Sequence, residues 1–263
     1  MLADLSRRGV DVRGLLWRSH SDRLSFSAKE NRRLAREVSA AGGEVLLDER
    51  VRRGGSHHQK LIVLRHPRRP DDDVAFVGGI DVCHGRRDDA SHSGDRQSVC
   101  LDPRYGPRPP WHDVQLEVRG PAVDGLDTTF RERWSDPTPL NHSSLGRAWF
   151  SRLAGRERRA KPLPDPLPPP PPAGTHAVQI LRTYPARRPR YPFAATGERS
   201  VARAFAKAVG RARRLIYFED QYFWSREVAE ILAGALRRRP DLLLIGVLPR
   251  YPDKDRRFSG PPA

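Results

Sequence analysis

The chain is poor in several residue types at once: it has two cysteines, one methionine and only five lysines among 48 basic residues. Cys83 and Cys100 are too few for a disulfide framework and lack the clustered spacing of a zinc site. One bridge between them stays open, because separation in sequence does not decide geometry. A reducing cytoplasm is the compartment that this usage predicts. No run of about eighteen apolar residues occurs, so no spanning helix is expected. The opening MLADLSRRGVDVRG lacks the basic-then-apolar order of a secretory signal.

What is present is charge. The formal net charge is +16 and the sequence pI is near 10.9, which favours anionic partners: nucleic acid, anionic headgroups or a phosphate ester. The arginines lie all along the chain rather than in one stripe, so charge does not choose among these partners. At 263 residues with 37% hydrophobic content, the chain is long enough to bury a core in one large or two modest domains.

Hydrophobic periodicity predicts an α/β alternation. Val10 to Trp17 reads as a strand, Ala28 to Ala41 as a helix, and Val45 to Leu47 as the next strand after Gly42-Gly43. Gln59 to Leu64 and Val74 to Val77 read as neighbouring buried strands joined by the polar, proline-bearing RHPRRPDDD. Val114 to Val118 is a further strand, and Val123, Leu126, Phe130 and Trp134 recur at helical spacing. KPLPDPLPPPPPAG, from Lys161 to Gly174, reads as an extended polyproline-like linker. Beyond it the alternation restarts: strands at Val178 to Leu181, Leu215 to Phe218 and Leu242 to Val247, with helices around Ser200 to Arg211 and Val228 to Leu236.

His58 and Lys60 open a predicted strand. Because strand side chains alternate, the two should share one face, roughly 7 Å apart along the chain. An imidazole can attack phosphorus or shuttle a proton near neutral pH, and an ammonium can stabilise the charged oxygens of the transition state. Gly78, Gly79 and Asp81 follow the next strand, where missing β-carbons let backbone amides approach a phosphate. His112 beside Asp113 can orient a ring or a substrate group. Glu219, with Asp220 and Gln221, ends a strand where open α/β sheets place ligand groups. Arg86 and Arg87, in the loop after Gly79, read first as a solvated charged loop and second as phosphate binders.

SHHQKLIVL, then FVGGID, then PWHDVQLEVRGPAVDGLDTTFRERW resemble in order and spacing the N-terminal lobe of the phospholipase D superfamily, including its bacterial lipid-acting branch. GERSVARAFAKAVGRARRLIYFEDQYFW resembles the start of that family's second lobe, so the likeness runs from about Val10 to Phe223. The resemblance implies an α/β fold, a phospholipase D-like sandwich of a mixed β-sheet flanked by helices. Residues 1–160 would form a first lobe, 161–176 a linker and 177–263 an incomplete second lobe. It also implies chemistry without metal or cofactor, in which two His-x-Lys motifs meet, one histidine becoming a phosphohistidine and the other serving as acid and base. His58 and Lys60 match the first motif, with His58 the nucleophile candidate. Gly78, Gly79 and Asp81 match the phosphate-contacting segment, and His112, Asp113 and Glu219 stand behind as supporting residues.

Two departures accompany the match. The family pattern places an aspartate five residues after the lysine, where this chain has Arg65; Asp71, Asp72 and Asp73 nearby read as a solvated turn. No other histidine has a lysine two positions later, so the second motif is missing and the chain reads as a fragment. The expected function is hydrolysis, or transfer, of glycerophospholipid headgroups by a cytoplasmic protein acting peripherally at a membrane. The implied partners are a phospholipid and, to complete the site, a second copy or a complementing chain; nucleic acid ranks below. The alternatives are an inactive anion-binding remnant and a homodimeric nuclease.

Overall fold

The computed structural model describes residues 1–18, 28–52, 55–82, 84–86, 88–96, 102–141 and 160–251. Two compact units emerge. The first comprises Met1–Gly78, Gln115–Ile180 and Tyr184–Glu198; the second comprises Gly79–Val114, Leu181–Thr183 and the chain from Arg199. The architecture is mixed α/β with several small sheets, as the periodicity predicts.

The first unit opens with a short helix α1 (Leu2–Arg7) that periodicity did not announce. Strand β1 (Arg13–Trp17), helix α2 (Ala28–Ala40) and strand β2 (Glu44–Asp48) follow, with β1 and β2 parallel and Leu15 opposite Leu46. Parallel strands need a crossover connection, and α2 provides it. Gly42 takes a left-handed φ of 100°, and Gly43 N–H returns to the Val38 carbonyl at 3.1 Å, the helix-ending turn for which glycine is suited. Ala35 and Val38 of α2 pack on Val45 of β2.

Strands β3 (Leu61–Leu64), β4 (Val74–Gly78) and β5 (Gln115–Val118) form an antiparallel sheet in the order β3-β4-β5. Helix α3 (Ala122–Trp134) lays Val123 and Leu126 on Ala75, with Leu61, Val63 and Val118 around them. The predicted strand from Gln59 to Leu64 begins at Leu61, and it is covered on one face only. Ile62 and Leu64 are 42% and 44% exposed while Leu61 and Val63 face the core. The reading of that run as fully buried is therefore corrected: an unbroken apolar run does not distinguish one covered face from two.

Between Lys161 and Pro172 the chain forms no ladder, as prolines without N–H groups dictate. Side chains of the first unit take its carbonyls instead. Trp134 Nε1 donates to Lys161 O at 2.8 Å, Arg131 to Pro164 O at 2.7 Å and Arg65 to Pro168 O at 2.6 Å.

Val178 to Leu181, where the first unit gives way to the second, is irregular rather than the predicted strand, and the nearest strand is the two-residue β6 (Thr183–Tyr184). Arg182 instead bonds Ser200, its N–H donating to Ser200 Oγ at 2.7 Å. After β7 (Glu198–Arg199) come α4 (Ser200–Arg211), β8 (Leu215–Glu219), α5 (Arg226–Arg238) and β9 (Leu243–Val247). Strands β8 and β9 are parallel, with Tyr217 opposite Ile245. Ser225 caps α5, its Oγ accepting from Val228 N–H at 3.3 Å. Val209, Leu232, Ala235 and Leu242 form the core, with Phe205, Ile216, Phe218 and Leu244 against it. The inward turn of Ile216 and Phe218 sends Tyr217 and Glu219 to the opposite, exposed face.

The first unit also buries charge. Asp48 is fully buried at the end of β2 and accepts from Arg50 Nε at 3.0 Å and Arg133 Nη2 at 3.0 Å. Burial alone would raise the Asp48 carboxyl, yet Arg133 and Arg50 together hold it below the ordinary carboxylate value. Arg50 spends its other nitrogens on Asp136 O at 2.6 Å and Arg133 O at 2.8 Å. Removing one member of such a cluster strands the others in a low dielectric. Asp48→Ala is expected to cost about 3–5 kcal/mol of stability, read as a lower urea midpoint at pH 7 with an unchanged slope; a midpoint within error of the parent would show that the two arginines tolerate the loss.

Candidate active site

The segment before β3 carries the predicted pair. Lys60 Nζ lies 2.8 Å from His58 Nε2 and 3.4 Å from the His58 carbonyl. His58 is exposed and Lys60 half-buried. Both belong to the parity of Ile62 and Leu64, the face of β3 turned away from the core. The i,i+2 spacing thus brings the two groups together on an open face, where one phosphate can meet both an imidazole nitrogen and an ammonium.

Arg65, at the position where the family pattern has aspartate, turns inward. Its Nε donates to the buried Asp73 at 2.8 Å, its Nη1 lies 3.3 Å from Asp127, and Asp124 is 3.7 Å away. Asp73 also accepts from His66 N–H at 2.6 Å. The reading of all three aspartates as a solvated turn is corrected for Asp73, which is 1% exposed. A buried carboxylate needs a cation, and Arg65 is that cation. Sequence reasoning missed Asp73 and Asp127, although the i,i+4 spacing of Asp127 and Arg131, 2.8 Å apart, was a signal that Asp127 is paired.

Gly78 ends β4 opposite Gln115 in the first unit. Gly79 begins the second unit, and its N–H donates to Val114 O at 2.9 Å. A β-carbon on Gly79 would collide with the Asp113 carboxylate, so the glycine admits that side chain against the backbone. Asp113 Oδ1 also accepts from Val114 N–H at 2.8 Å. Asp81 pairs with Arg86 at 3.3 Å, and the Arg86 guanidinium stacks 3.6 Å from the Trp111 ring centre. Arg86 is therefore engaged with Asp81 and Trp111 rather than lying in a solvated loop. Arg87, Cys83 and Cys100 lie outside the described residues.

His112 and Glu219, 107 positions apart, meet in the second unit with Nε2 and Oε2 at 2.6 Å. Tyr217 donates to the other oxygen of Glu219 at 2.6 Å. These hydrogen bonds, Tyr217 first and His112 second, hold the Glu219 carboxyl below its ordinary value. An exposed tyrosine, carboxylate and imidazole in one chain of hydrogen bonds can orient a ring and pass a proton. Tyr217 was not anticipated, though its i,i+2 relation to Glu219 on a strand was legible.

Residues 29–148 match the phospholipase D family model. The chain is 28% identical to phospholipase D gamma 2 of Arabidopsis thaliana over 75% of its own length and 29% of the relative's. It is 28% identical to phospholipase D alpha 1 of Cynara cardunculus over 82% of this chain and 31% of that one. With phospholipase D alpha 3 of Arabidopsis thaliana the identity is 30%, over 64% and 24% respectively. The chain thus spans less than a third of the length of these relatives. All three of these relatives, like the family model, are phospholipases D by description, so that is the family this chain is similar to.

Arg65 tests how far the family pattern transfers. Arg65→Asp restores the family's residue, but here it would set a fourth carboxylate among Asp73, Asp124 and Asp127. The expected result is destabilisation by about 3–5 kcal/mol in urea unfolding at pH 7, easing as the pH falls and the carboxylates protonate. A more stable Arg65→Asp chain would mean that the local ion pairs are not what holds this turn.

Proposed function

We propose that this chain carries a half-site of a phospholipase D-type phosphodiesterase acting on glycerophospholipids, with His58 as nucleophile and Lys60 as the cation that receives the phosphate. The supporting observation is the 2.8 Å approach of Lys60 Nζ to His58 Nε2 on an exposed face. Before substrate arrives, the ammonium donates to the imidazole lone pair. A phosphodiester oxygen is a stronger, charged acceptor and takes over that N–H. Nε2 is then free to attack phosphorus; the N–P bond forms, the P–O bond to the headgroup alcohol breaks, and the leaving oxygen takes a proton from a general acid. Water, or a second alcohol, then releases the phosphatidyl group from His58.

By the family resemblance, Gly78, Gly79 and Asp81 are proposed as phosphate-contacting residues, and His112, Asp113 and Glu219 as supporting ones. Residues 1–263 carry one His-x-Lys pair. In this reading a second copy or a complementing chain provides the general acid, and an anion-binding protein without turnover is the second reading, in line with the net charge of +16. No described helix is long and apolar enough to cross a membrane. The proposed setting is the cytoplasmic face of an anionic membrane, approached peripherally, in line with the net charge of +16 and with the lipid-acting branch of the family.

Headgroup release from mixed phosphatidylcholine and phosphatidylglycerol vesicles, run without added metal, tests the reading. Release is expected to fall to background in His58→Ala and by roughly 10²–10³-fold in Lys60→Ala, the size of losing one preorganised charge-stabilising donor. Vesicle binding without release would favour the anion-binding reading, and turnover of nucleic acid with no lipid turnover would point to the nuclease.

A further inference from the structure

The proline-rich stretch meets the first unit at regular intervals. Trp134 Nε1 donates to the carbonyl of Lys161 at 2.8 Å, Arg131 Nη1 to that of Pro164 at 2.7 Å, and Arg65 Nη2 to those of Leu167 at 3.3 Å and Pro168 at 2.6 Å. Lys161, Pro164 and Leu167 are three residues apart, the period of a polyproline-II helix, which brings every third carbonyl to one edge. Leu163 and Leu167 are half-buried and Pro170 is buried, whereas Pro162, Pro166 and Pro172 are exposed. Farther on, the chain passes Gly120, whose φ of 77° is left-handed; a β-carbon built there would come within 3.0 Å of Ala173 N.

The donors are held in place. Asp127 Oδ2 accepts from Arg131 Nε at 2.8 Å and from Arg65 Nη1 at 3.3 Å, so one carboxylate aims both guanidiniums. Trp134 is 1% exposed, its ring centre 5.5 Å from that of Phe130. Indole and guanidinium groups only donate, and a proline residue offers a carbonyl without an N–H. An ordinary backbone laid along the same donors would bring N–H groups to a wall with no acceptor for them. The N–H of Lys161, just ahead of the prolines, is met by the Glu44 carboxylate at 3.2 Å. These contacts read main-chain carbonyls and not side chains, so they select a backbone shape rather than a sequence.

We propose that Trp134, Arg131 and Arg65 form a binding groove for a polyproline-II ligand, and that residues 161–172 are its tethered occupant as well as a linker. Because the groove reads only carbonyls in a polyproline-II register, it takes a proline-rich segment of another molecule, a second copy of this chain included, in place of the resident one. A tethered ligand acts at an effective concentration on the order of millimolar. The groove is therefore closed to dilute peptides and opens to concentrated or multivalent ones. This site stands independently of the phosphodiester reading.

Five tryptophans give five indole N–H signals in NMR of the full chain, and Trp134→Phe assigns the one in the groove. Decaproline at about 10 mM, above the effective concentration of the tether, is expected to shift the Trp134 signal and leave the other four in place. A glycine–serine peptide of equal length should move none. In a full-length chain with Pro164→Gly, Pro166→Gly, Pro168→Gly and Pro169→Gly together, the tether no longer holds its shape. That chain should bind labelled decaproline at least about tenfold more tightly than the parent in fluorescence anisotropy, with circular dichroism and the thermal midpoint as fold controls. Adding Trp134→Phe, which keeps a ring and loses the donor, should weaken binding roughly tenfold. Two further arms separate the sources of the ligand. Dimers of the parent in concentrated solution, dispersed by decaproline, would place a second copy's segment in the groove; monomers that still bind decaproline would assign it to a foreign proline-rich segment. A Trp134 signal unmoved by decaproline, or a folded glycine variant that binds it no better than the parent, overturns the proposal. Should the glycine variant unfold, the parent titration decides.

Discussion

The directional order of the first unit depends on a buried carboxylate, Asp48, held between two arginines. Asp48 closes β2, Arg50 follows it two residues on, and Arg133 sits in the last turn of α3. Charges removed from water must find partners, so these three fix a strand end, a loop and a helix end to one another. The same cluster reaches further: Tyr191 donates to the Arg50 carbonyl at 3.0 Å, and Arg187, stacked 3.9 Å over the Tyr191 ring, pairs with Asp136. Apolar packing, of Val38 on Val45 and of Val123 and Leu126 on Ala75, gives this unit its cores, but packing is non-directional. The ion pairs supply the direction that packing lacks.

Much of the fold was legible because its elements are amphipathic. The helix at Ser200–Arg211 was read to the residue, and the strands β8 and β9 to within one residue at an end, since each shows a single dominant period and begins or ends beside Arg, Pro or Gly. Val178 to Leu181 failed because Val178, Ile180 and Leu181 show the composition of a strand without neighbours to pair with. Ile180 instead packs against the core beside α3, and Leu181 is 36% exposed. Helix α1 went unseen because six residues with Arg7 and Asp4 paired at 2.6 Å leave too short a window for periodicity.

The site was legible only where its members are close in sequence. His58 and Lys60 are two positions apart, and strand geometry brings them together without further information. His112 and Glu219 were singled out separately, each for its own neighbourhood, and only the fold joins them. Arg65 was read as a missing carboxylate. In three dimensions it is the counter-ion of Asp73 and Asp127, and the acidic turn beside it supplies half of the pairing. A charge at an unexpected position becomes intelligible once the partners that packing brings to it are known.

Arginine abundance is likewise more than a polyanion surface. A polyproline segment offers carbonyls but few N–H groups, so it cannot satisfy itself or join a sheet. Arg65 and Arg131 each satisfy a carboxylate of α3 and a carbonyl of this segment at the same time. Arg50 does the same for Asp48 and two carbonyls at the end of α3. A planar fork with five donors can do this, whereas the three donors of an ammonium radiate from one point. The preference for arginine over lysine in this chain therefore has a structural use wherever strands, helix ends and proline-rich backbone meet. Lys60 is an exception that fits the argument: at the outward face a compact point charge next to an imidazole suits a phosphate, and a fork already committed to backbone would not.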